Sequence, residues 1–199
     1  MNDVIYWFRN DLRITDNPAF AQTYEQYDKV WAVYVHDPKH SAETDWGFER
    51  MGAHRKAFLA ERLQDLALQL KAIGVDLTHL HGSPTEALSA FCDSAQTKQI
   101  YCEDIAAPEE QAEIDSLQTA GLKVKTLWQS SLLEPADLPF DVQYLPAVFT
   151  AFRNKVEKLA VKPREPLLQF GNLLESAAAK HLKTYFSGDF ALTYKLTRN

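Results

Sequence analysis

Two adjacent acidic residues, Glu109 and Glu110, occupy a position where a carboxylate can serve either a ligand or the fold. They follow Pro108 in the first turn of a predicted helix, directly after a short buried strand. A carboxylate there complements the helix dipole and can cap free backbone N–H groups. Glu109 is the stronger ligand candidate, because Glu110 would point to another side of the helix.

More charged residues follow two predicted strands at the points where those strands end. Arg9, Asp11 and Arg13 come after the first strand, and Glu103 and Asp104 come after the fourth. Ligands of parallel α/β sheets bind beyond the carboxyl ends of the strands, so these side chains could line one crevice. The alternatives are an ion-pair network that fixes the first loop, and ordinary solvated acids in the second.

Two aromatic residues, Trp46 and Phe48, lie in a long polar loop that runs from Lys39 to about Arg50. Aromatic side chains in such a loop either anchor it by packing or offer a surface on which a flat ring can stack. Packing is the preferred interpretation, and stacking in the crevice stays open.

Several other kinds of chemistry find little support in the sequence. His79 and His81 alternate on one face of a strand, which suits a metal ligand pair, but no third ligand is evident. Cys92 and Cys102 have no metal or redox spacing, so we expect both to be reduced and partly buried. No glycine-rich phosphate loop follows the first strand, and no spacing supports a catalytic triad. The sequence therefore predicts no metal site and no catalytic residue.

The elements that must position these residues alternate along the chain. The predicted strands are Val4–Phe8, Val30–Val35, Leu77–Leu80, Gln99–Cys102 and Val124–Trp128. The predicted helices are Pro18–Gln26, Gly52–Ile73, Pro84–Ala95 and Pro108–Ala120. This alternation predicts an α/β fold: a five-stranded parallel, doubly wound (Rossmann-like) sheet with helices on both faces. The strand that begins at Leu77 is short and partly polar, so we expect it near an edge.

The long second helix carries an apolar stripe. Its members recur at spacings of three and four and are Phe58, Leu59, Leu63, Leu66, Leu70 and Ile73. We expect all of them to face the core.

The alternation stops after Trp128. Prolines 135, 139, 146, 163 and 166 indicate an extended connector, interrupted by a predicted helix over Phe149–Leu159. A further helix is predicted over Ser176–Phe186. The pattern gives three regions: an α/β domain at 1–130, a connector at 131–170 and the start of a helical domain at 171–199. We expect the chain to stop as that helical domain begins.

Composition limits the classes of function. The 199 residues are 46% hydrophobic and carry a net charge of −6, with an isoelectric point near 5.5. Strong nucleic-acid binding by these residues alone is not expected, since phosphate contacts need clustered lysine and arginine. No signal peptide and no apolar run long enough to span a membrane is visible. We expect a cytoplasmic protein.

Five motifs follow one another along the chain: Trp7–Arg13 with Asp16–Pro18, Val35–Pro38, Arg55–Leu66, Leu138–Phe140 with Val148–Glu157, and Leu174–Ala177 through Tyr194–Asn199. In this order they resemble the cryptochrome/photolyase family. The tail and the Phe-Thr-x-Phe-Arg segment are most similar to the N-terminal part of a DASH cryptochrome. Each motif alone is weak, and the resemblance covers nearly the whole chain in register.

The resemblance implies an α/β domain that binds a light-harvesting antenna, commonly a methenyltetrahydrofolate-type folate and alternatively a deazaflavin or flavin. A helical C-terminal domain would hold FAD and damaged DNA. The implied activity of the whole protein is light-driven repair of pyrimidine dimers, in single-stranded DNA, as a deoxyribodipyrimidine photolyase. This part alone would not be catalytic, and its partner would be the FAD-binding domain, through which DNA binds.

The resemblance also implies roles for particular residues. Glu109 matches a glutamate that binds the pterin ring of the folate, whose edge offers adjacent N–H donors to a carboxylate. Tyr194 matches a tyrosine at the start of the FAD site. Arg9, Asp11 and Arg13 belong to a motif shared by members with different antennae, so we expect them to act mainly as scaffold.

Two other functions stay open on the sequence alone. One is a blue-light photoreceptor with the same architecture and no repair activity. The other is a stand-alone nucleotide-binding domain of the universal-stress or electron-transfer-flavoprotein type, which the match over Tyr194–Asn199 disfavours.

Overall fold

One parallel sheet of five strands forms the centre of the protein, as seen in a computed structural model that describes residues 2–167. The strands are β1 (Asp3–Phe8), β2 (Lys29–His36), β3 (Leu77–His81), β4 (Gln99–Asp104) and β5 (Lys123–Trp128). Their order across the sheet is β3-β2-β1-β4-β5. The predicted fold class is confirmed, and β3 lies at an edge as its short, polar sequence predicts.

Five α-helices accompany the sheet within this part of the chain. They are α1 (Pro18–Gln26), α2 (Ala53–Ala72), α3 (Pro84–Ala95), α4 (Pro108–Thr119) and α5 (Phe149–Lys158). Three of them begin at a proline, whose fixed φ suits the first helical position. Asn17 caps α1, since its Oδ1 accepts a hydrogen bond from the Phe20 N–H at 2.9 Å.

The two faces of the sheet are covered by different helices. Alternate residues of β1 point to opposite faces, so Tyr6 and Phe8 pack with α1 and α2. Ile5 and Trp7 pack on the other face with α3 and α4. Both cysteines are free and lie on that second face, where they are more fully buried than the partial burial expected from the sequence. Because both faces are buried, β1 reads as a continuous apolar run rather than an alternating one.

Helix α2 departs from its predicted stripe at one residue. Leu63, Leu66 and Leu70 are buried in the core, and Leu59 and Ile73 pack against its margin. Phe58 is instead 63% exposed. It precedes Leu59 by one residue, a rotation of about 100° that turns its side chain away from the sheet.

The connector crosses back to the first loop of the domain. Asp16 has a left-handed conformation with φ 52°, and its N–H donates to the Leu167 carbonyl at 3.0 Å. Its Oδ1 accepts hydrogen bonds from the Leu167 N–H at 3.0 Å and from Arg164 Nη1 at 2.7 Å. These contacts hold the described end of the connector against the segment that follows β1.

Helix α5 is where the connector prediction places it, and none of its residues is buried. The predicted helix over Ser176–Phe186, with Tyr194, lies outside the described residues. Within residues 2–167 no helix has the length and apolar character needed to cross a membrane.

Candidate functional site

A cleft of about 850 Å³ opens above the carboxyl ends of β1 and β2. It lies beside the point where the chain, having built β2 and β3 on one side of β1, returns to build β4 and β5 on the other. Such a reversal of strand order separates neighbouring loops and leaves a ligand-sized crevice. Residues of α2 line one wall, and the first turns of α3 and α4 line the other.

Arg9 lies at the floor of the cleft and is 9% exposed. Its guanidinium lies over the ring of Trp7, at 4.6 Å from the ring centroid. Nη2 donates to Glu113 Oε2 at 2.7 Å and to the carbonyl oxygen of Glu110 at 3.1 Å. Nη1 is buried without a hydrogen-bond partner among residues 2–167. Arg9 therefore ties β1 to α4 and keeps one buried donor unsatisfied.

Glu103 is buried at the end of β4 and holds the first loop. Its Oε1 accepts the backbone N–H groups of Asn10 and Asp11 at 2.7 and 2.9 Å. Burial raises the pKa of Glu103, and the two N–H donors act in the opposite direction. This residue lines a second, shallower depression, of about 460 Å³, and not the main cleft. Its contacts make Glu103 a support for the loop.

Asp11 and Arg13 complete a polar network around the same loop. Asp11 Oδ1 accepts from Arg13 Nε at 3.0 Å, and Asp11 Oδ2 accepts from Gln129 Nε2 at 3.1 Å. Asp104 lies nearby and accepts a hydrogen bond from Gln111 Nε2 at 2.8 Å. These charged groups bind one another and neighbouring polar side chains, and neither Asp11 nor Arg13 lines the main cleft.

Glu109 lies at the mouth of the main cleft, with its side chain 67% exposed. Its carboxylate is paired with Arg50, which lies near the end of the long loop between β2 and α2. A hydrogen bond from the Thr44 N–H to the Phe48 carbonyl shapes this loop into a small hairpin. The pair therefore joins the loop to α4 across the cleft mouth, and a ligand that uses Glu109 must compete with Arg50.

Trp46 and Phe48 extend from this hairpin into solvent, 81% and 61% exposed. Neither residue lines the main cleft. In the described structure they neither pack in the core nor join the other candidates.

The main cleft contains a set of residues that the sequence analysis did not predict as part of a site. Arg55, Phe58 and Arg62 recur at spacings of three and four on α2, and all three line it. Burial raises the pKa of Tyr34 beneath them, and the charge of Arg55 opposes this shift. A sequence signal for this part of the site was present, because a phenylalanine between two arginines on one helix face suits an anionic aromatic ligand. The phenylalanine alone is equally typical of a residue that packs in the core.

Three histidines meet at the ends of β2 and β3. His36 Nε2 lies 2.8 Å from His79 Nδ1, and the ring of His36 also stacks on that of His81. Burial, followed by the charges of His79, His81 and His40, lowers the pKa of His36. Within residues 2–167 no group of histidine, cysteine or carboxylate side chains is arranged to hold a metal ion.

Comparison with known proteins gives consistent matches. A family model described as DNA photolyase matches residues 4–169. A cryptochrome DASH of Synechocystis sp. is 33% identical over 181 residues, which are 89% of this chain and 37% of that protein. The blue-light photoreceptor PHR2 of Arabidopsis thaliana is 32% identical over 162 residues, which are 79% of this chain and 36% of that protein.

Solved structures agree with the described fold. A Synechocystis cryptochrome superposes with a TM-score of 0.76 at 33% identity, over 83% of this chain and 35% of that one. An archaeal photolyase from Sulfolobus tokodaii, described as containing two FAD molecules, gives 0.69 at 24% identity over 83% of this chain and 36% of its own. The chain spans about a third of the length of these relatives.

Proposed function

The chain belongs to the DNA photolyase family, and from that premise we propose that its α/β domain binds a light-harvesting chromophore in the main cleft. The observation that supports this proposal is the cleft itself, which has a volume of about 850 Å³ and lies above the sheet. An exposed aromatic ring, cationic side chains and a carboxylate line it. That volume is in the range of small-molecule sites. When bound, the chromophore absorbs blue or near-ultraviolet light and passes on excitation energy.

The residues present fit such a group in their donor and acceptor chemistry. The unpartnered Nη1 of Arg9 supplies a donor at the floor, and Glu109 supplies acceptors at the mouth. We propose a methenyltetrahydrofolate-type antenna, with the carboxylate of Glu109 accepting the N–H donors of the pterin edge. Binding would exchange the exposed Arg50–Glu109 pair for these bonds, at small cost because exposed ion pairs contribute little. A deazaflavin or a flavin is the alternative occupant.

A titration of the chain with 5,10-methenyltetrahydrofolate, followed by chromophore absorbance, tests this assignment. We expect weak, saturable binding, because the family resemblance implies that a helical domain supplies further contacts. Glu109→Gln should weaken it about tenfold, the value of one charge-assisted hydrogen bond. Asp115→Asn, which removes an exposed carboxylate from the same helix, should change nothing.

Two results would count against the folate assignment. Absence of any spectral change up to millimolar folate would show that folate is not the ligand. Equal affinities of Glu109→Gln and the unmodified chain for folate would show that Glu109 does not bind it. Tight binding of folate by this chain alone would contradict the expectation that the helical domain supplies part of the contacts to it.

For the whole protein we propose light-driven repair of pyrimidine dimers in single-stranded DNA, with FAD held by a helical domain. We propose an α/β domain at 1–130, a connector at 131–170 and the start of the helical domain at 171–199, where Tyr194 would contact FAD. In this arrangement DNA binds through the helical domain, and residues 1–130 bind it weakly. Glu103, Asp11, Trp46 and Phe48 have no role in our proposal as direct chromophore contacts.

A photoreceptor without repair activity is the second candidate, because one relative is named a blue-light photoreceptor. Loss of dimers from irradiated single-stranded DNA, measured on the chain joined to its FAD-binding domain, separates the two. A repair rate equal in light and darkness would favour the photoreceptor. The universal-stress and electron-transfer-flavoprotein alternatives are disfavoured by the family match over residues 4–169.

A further inference from the structure

The two walls of the main cleft differ in charge. The wall formed by α2 carries Arg55 and Arg62, with Phe58 between them. The facing wall, at the start of α4, carries Glu109, Glu110 and Glu113. In a chain whose net charge is −6, a basic and aromatic helix face is a local exception.

The exposure of Phe58 has no explanation in the packing of the described residues. The core beneath α2 is filled by Leu63, Leu66 and Leu70, and Phe58 remains 63% exposed. A phenyl ring on a cleft wall offers a surface for a flat ring, and aromatic pairs contribute beyond the area they bury. A ligand in the cleft would remove this apolar surface from water.

The arginines that line the cleft differ in whether an ion pair neutralises them. Arg9 pairs with Glu113, and Arg50 pairs with Glu109. Arg62 has a partner in Asp65, three residues along the same helix, at 3.0 Å. Arg55 has no ion pair among residues 2–167, and its positive charge lowers the pKa of Tyr34 against the larger effect of burial. The α2 wall therefore keeps a free positive charge beside an exposed ring.

We propose that the cleft selects chromophores that combine a flat ring with an anionic arm. The ring lies on Phe58, with its polar edge toward the acidic wall, and the arm lies on Arg55 and Arg62. Guanidinium groups suit this role because they bind phosphate and carboxylate through paired hydrogen bonds. The inference rests on the proposed chromophore function and adds the chemistry of the arm. A flavin phosphate or the glutamate carboxylates of a folate would satisfy it.

Matched ligands that differ only in the arm test the proposal. Flavin mononucleotide and riboflavin share one ring and differ by a phosphate, and their binding to the chain is measured by quenching of flavin fluorescence. Methenyltetrahydrofolate with one or with three glutamates forms the second pair, measured by absorbance. We expect the more anionic member of at least one pair to bind about tenfold more tightly at low salt, and less so in high salt. The pair that responds identifies the source of the arm.

Variants of the α2 wall assign the effect to its residues. Arg55→Gln/Arg62→Gln should abolish the preference for flavin mononucleotide over riboflavin and leave the affinity for riboflavin, which has no anionic arm, within about twofold. Both folates carry carboxylates, so the same variant should weaken both of them and reduce the preference for the triglutamate. Lys71→Gln/Lys98→Gln removes the same charge from exposed residues outside the cleft and should retain the preference. Phe58→Leu should weaken both members by about three- to tenfold, and Phe58→Tyr should not.

The outcomes separate this inference from the function on which it rests. Equal affinities within both pairs would overturn the anionic arm and leave a chromophore site in place. A preference that survives Arg55→Gln/Arg62→Gln would overturn the assignment to α2. Failure of all four ligands to bind would overturn the proposed function itself.

Discussion

The first loop of the α/β domain and the main cleft use the same kinds of charged side chain in opposite ways. Next to the loop, at the end of β4, Glu103 is 5% exposed and its Oε1 accepts two hydrogen bonds from backbone N–H groups of the loop. At the cleft mouth, Glu109 is 67% exposed and its partner is another exposed side chain, Arg50. Residue type is therefore a poor guide to role here. Burial and the number of satisfied hydrogen bonds separate the supporting charges from those available to a ligand.

The largest expected effect is on the supporting side of this comparison. Glu103→Ala should lower the free energy of unfolding by about 2 kcal/mol, because two partly buried N–H groups lose their acceptor. Glu103→Gln is the matched control, since both bonds go to one oxygen, which the amide retains. Urea denaturation at neutral pH measures the difference. If alanine and glutamine variants unfold at the same urea concentration, Glu103 does not hold the loop through these bonds.

Much of the fold follows from local signals in the sequence. Prolines at 18, 84 and 108 fix the starts of three helices, and Asn17 stands directly before Pro18, where a capping side chain is expected. These signals involve neighbouring residues, so the strands and helices are found where the pattern predicts them.

The site was harder to predict because its properties depend on distant residues. Glu103 contacts residues 92 and 93 positions away along the chain, and no local pattern reports its burial. Phe58 fits the spacing of the apolar stripe, because periodicity alone does not distinguish it from its neighbour Leu59. It nevertheless lines the cleft. His36 joins His79 only because β2 and β3 are neighbours in the sheet.

Two carboxyl groups near the first loop should give opposite responses to pH, which sharpens the contrast among the supporting charges themselves. For Asp16, partial burial acts to raise the pKa, but hydrogen bonds from Leu167 and Arg164 outweigh it and the pKa is lowered from 3.8. Its contribution to stability is therefore complete above 3.8 and is lost as the pH falls through the folded-state value. For Glu103, burial raises the pKa from 4.5.

The Glu103 contribution changes in the other direction. With a folded-state pKa above the unfolded one, the part of this contribution that depends on protonation is largest below 4.5 and is lost as the pH rises through the folded-state value. The two backbone hydrogen bonds to Oε1 remain at neutral pH. Unfolding free energies of the unmodified chain, Asp16→Asn and Glu103→Gln between about pH 2.5 and 6.5 measure both slopes. Compared with Asp16→Asn, the unmodified chain should lose stability on acidification. Compared with Glu103→Gln, it should gain stability on acidification. Slopes of the same sign would show that one of the two environments is misassigned.

The smallest expected effect on stability belongs to the cleft mouth. Arg50 and Glu109 are 49% and 67% exposed, so solvent screens their attraction and ordering of two long side chains offsets it. A double-mutant cycle of Arg50→Gln and Glu109→Gln should give a coupling of about 0.2–1 kcal/mol in urea denaturation, decreasing in high salt. Because ligand binding must break this pair, Arg50→Gln should leave the fold unchanged and free Glu109 for the pterin edge. A coupling as large as the loss at Glu103 would place Glu109 among the supporting charges, and would remove the distinction on which its assignment to a ligand depends.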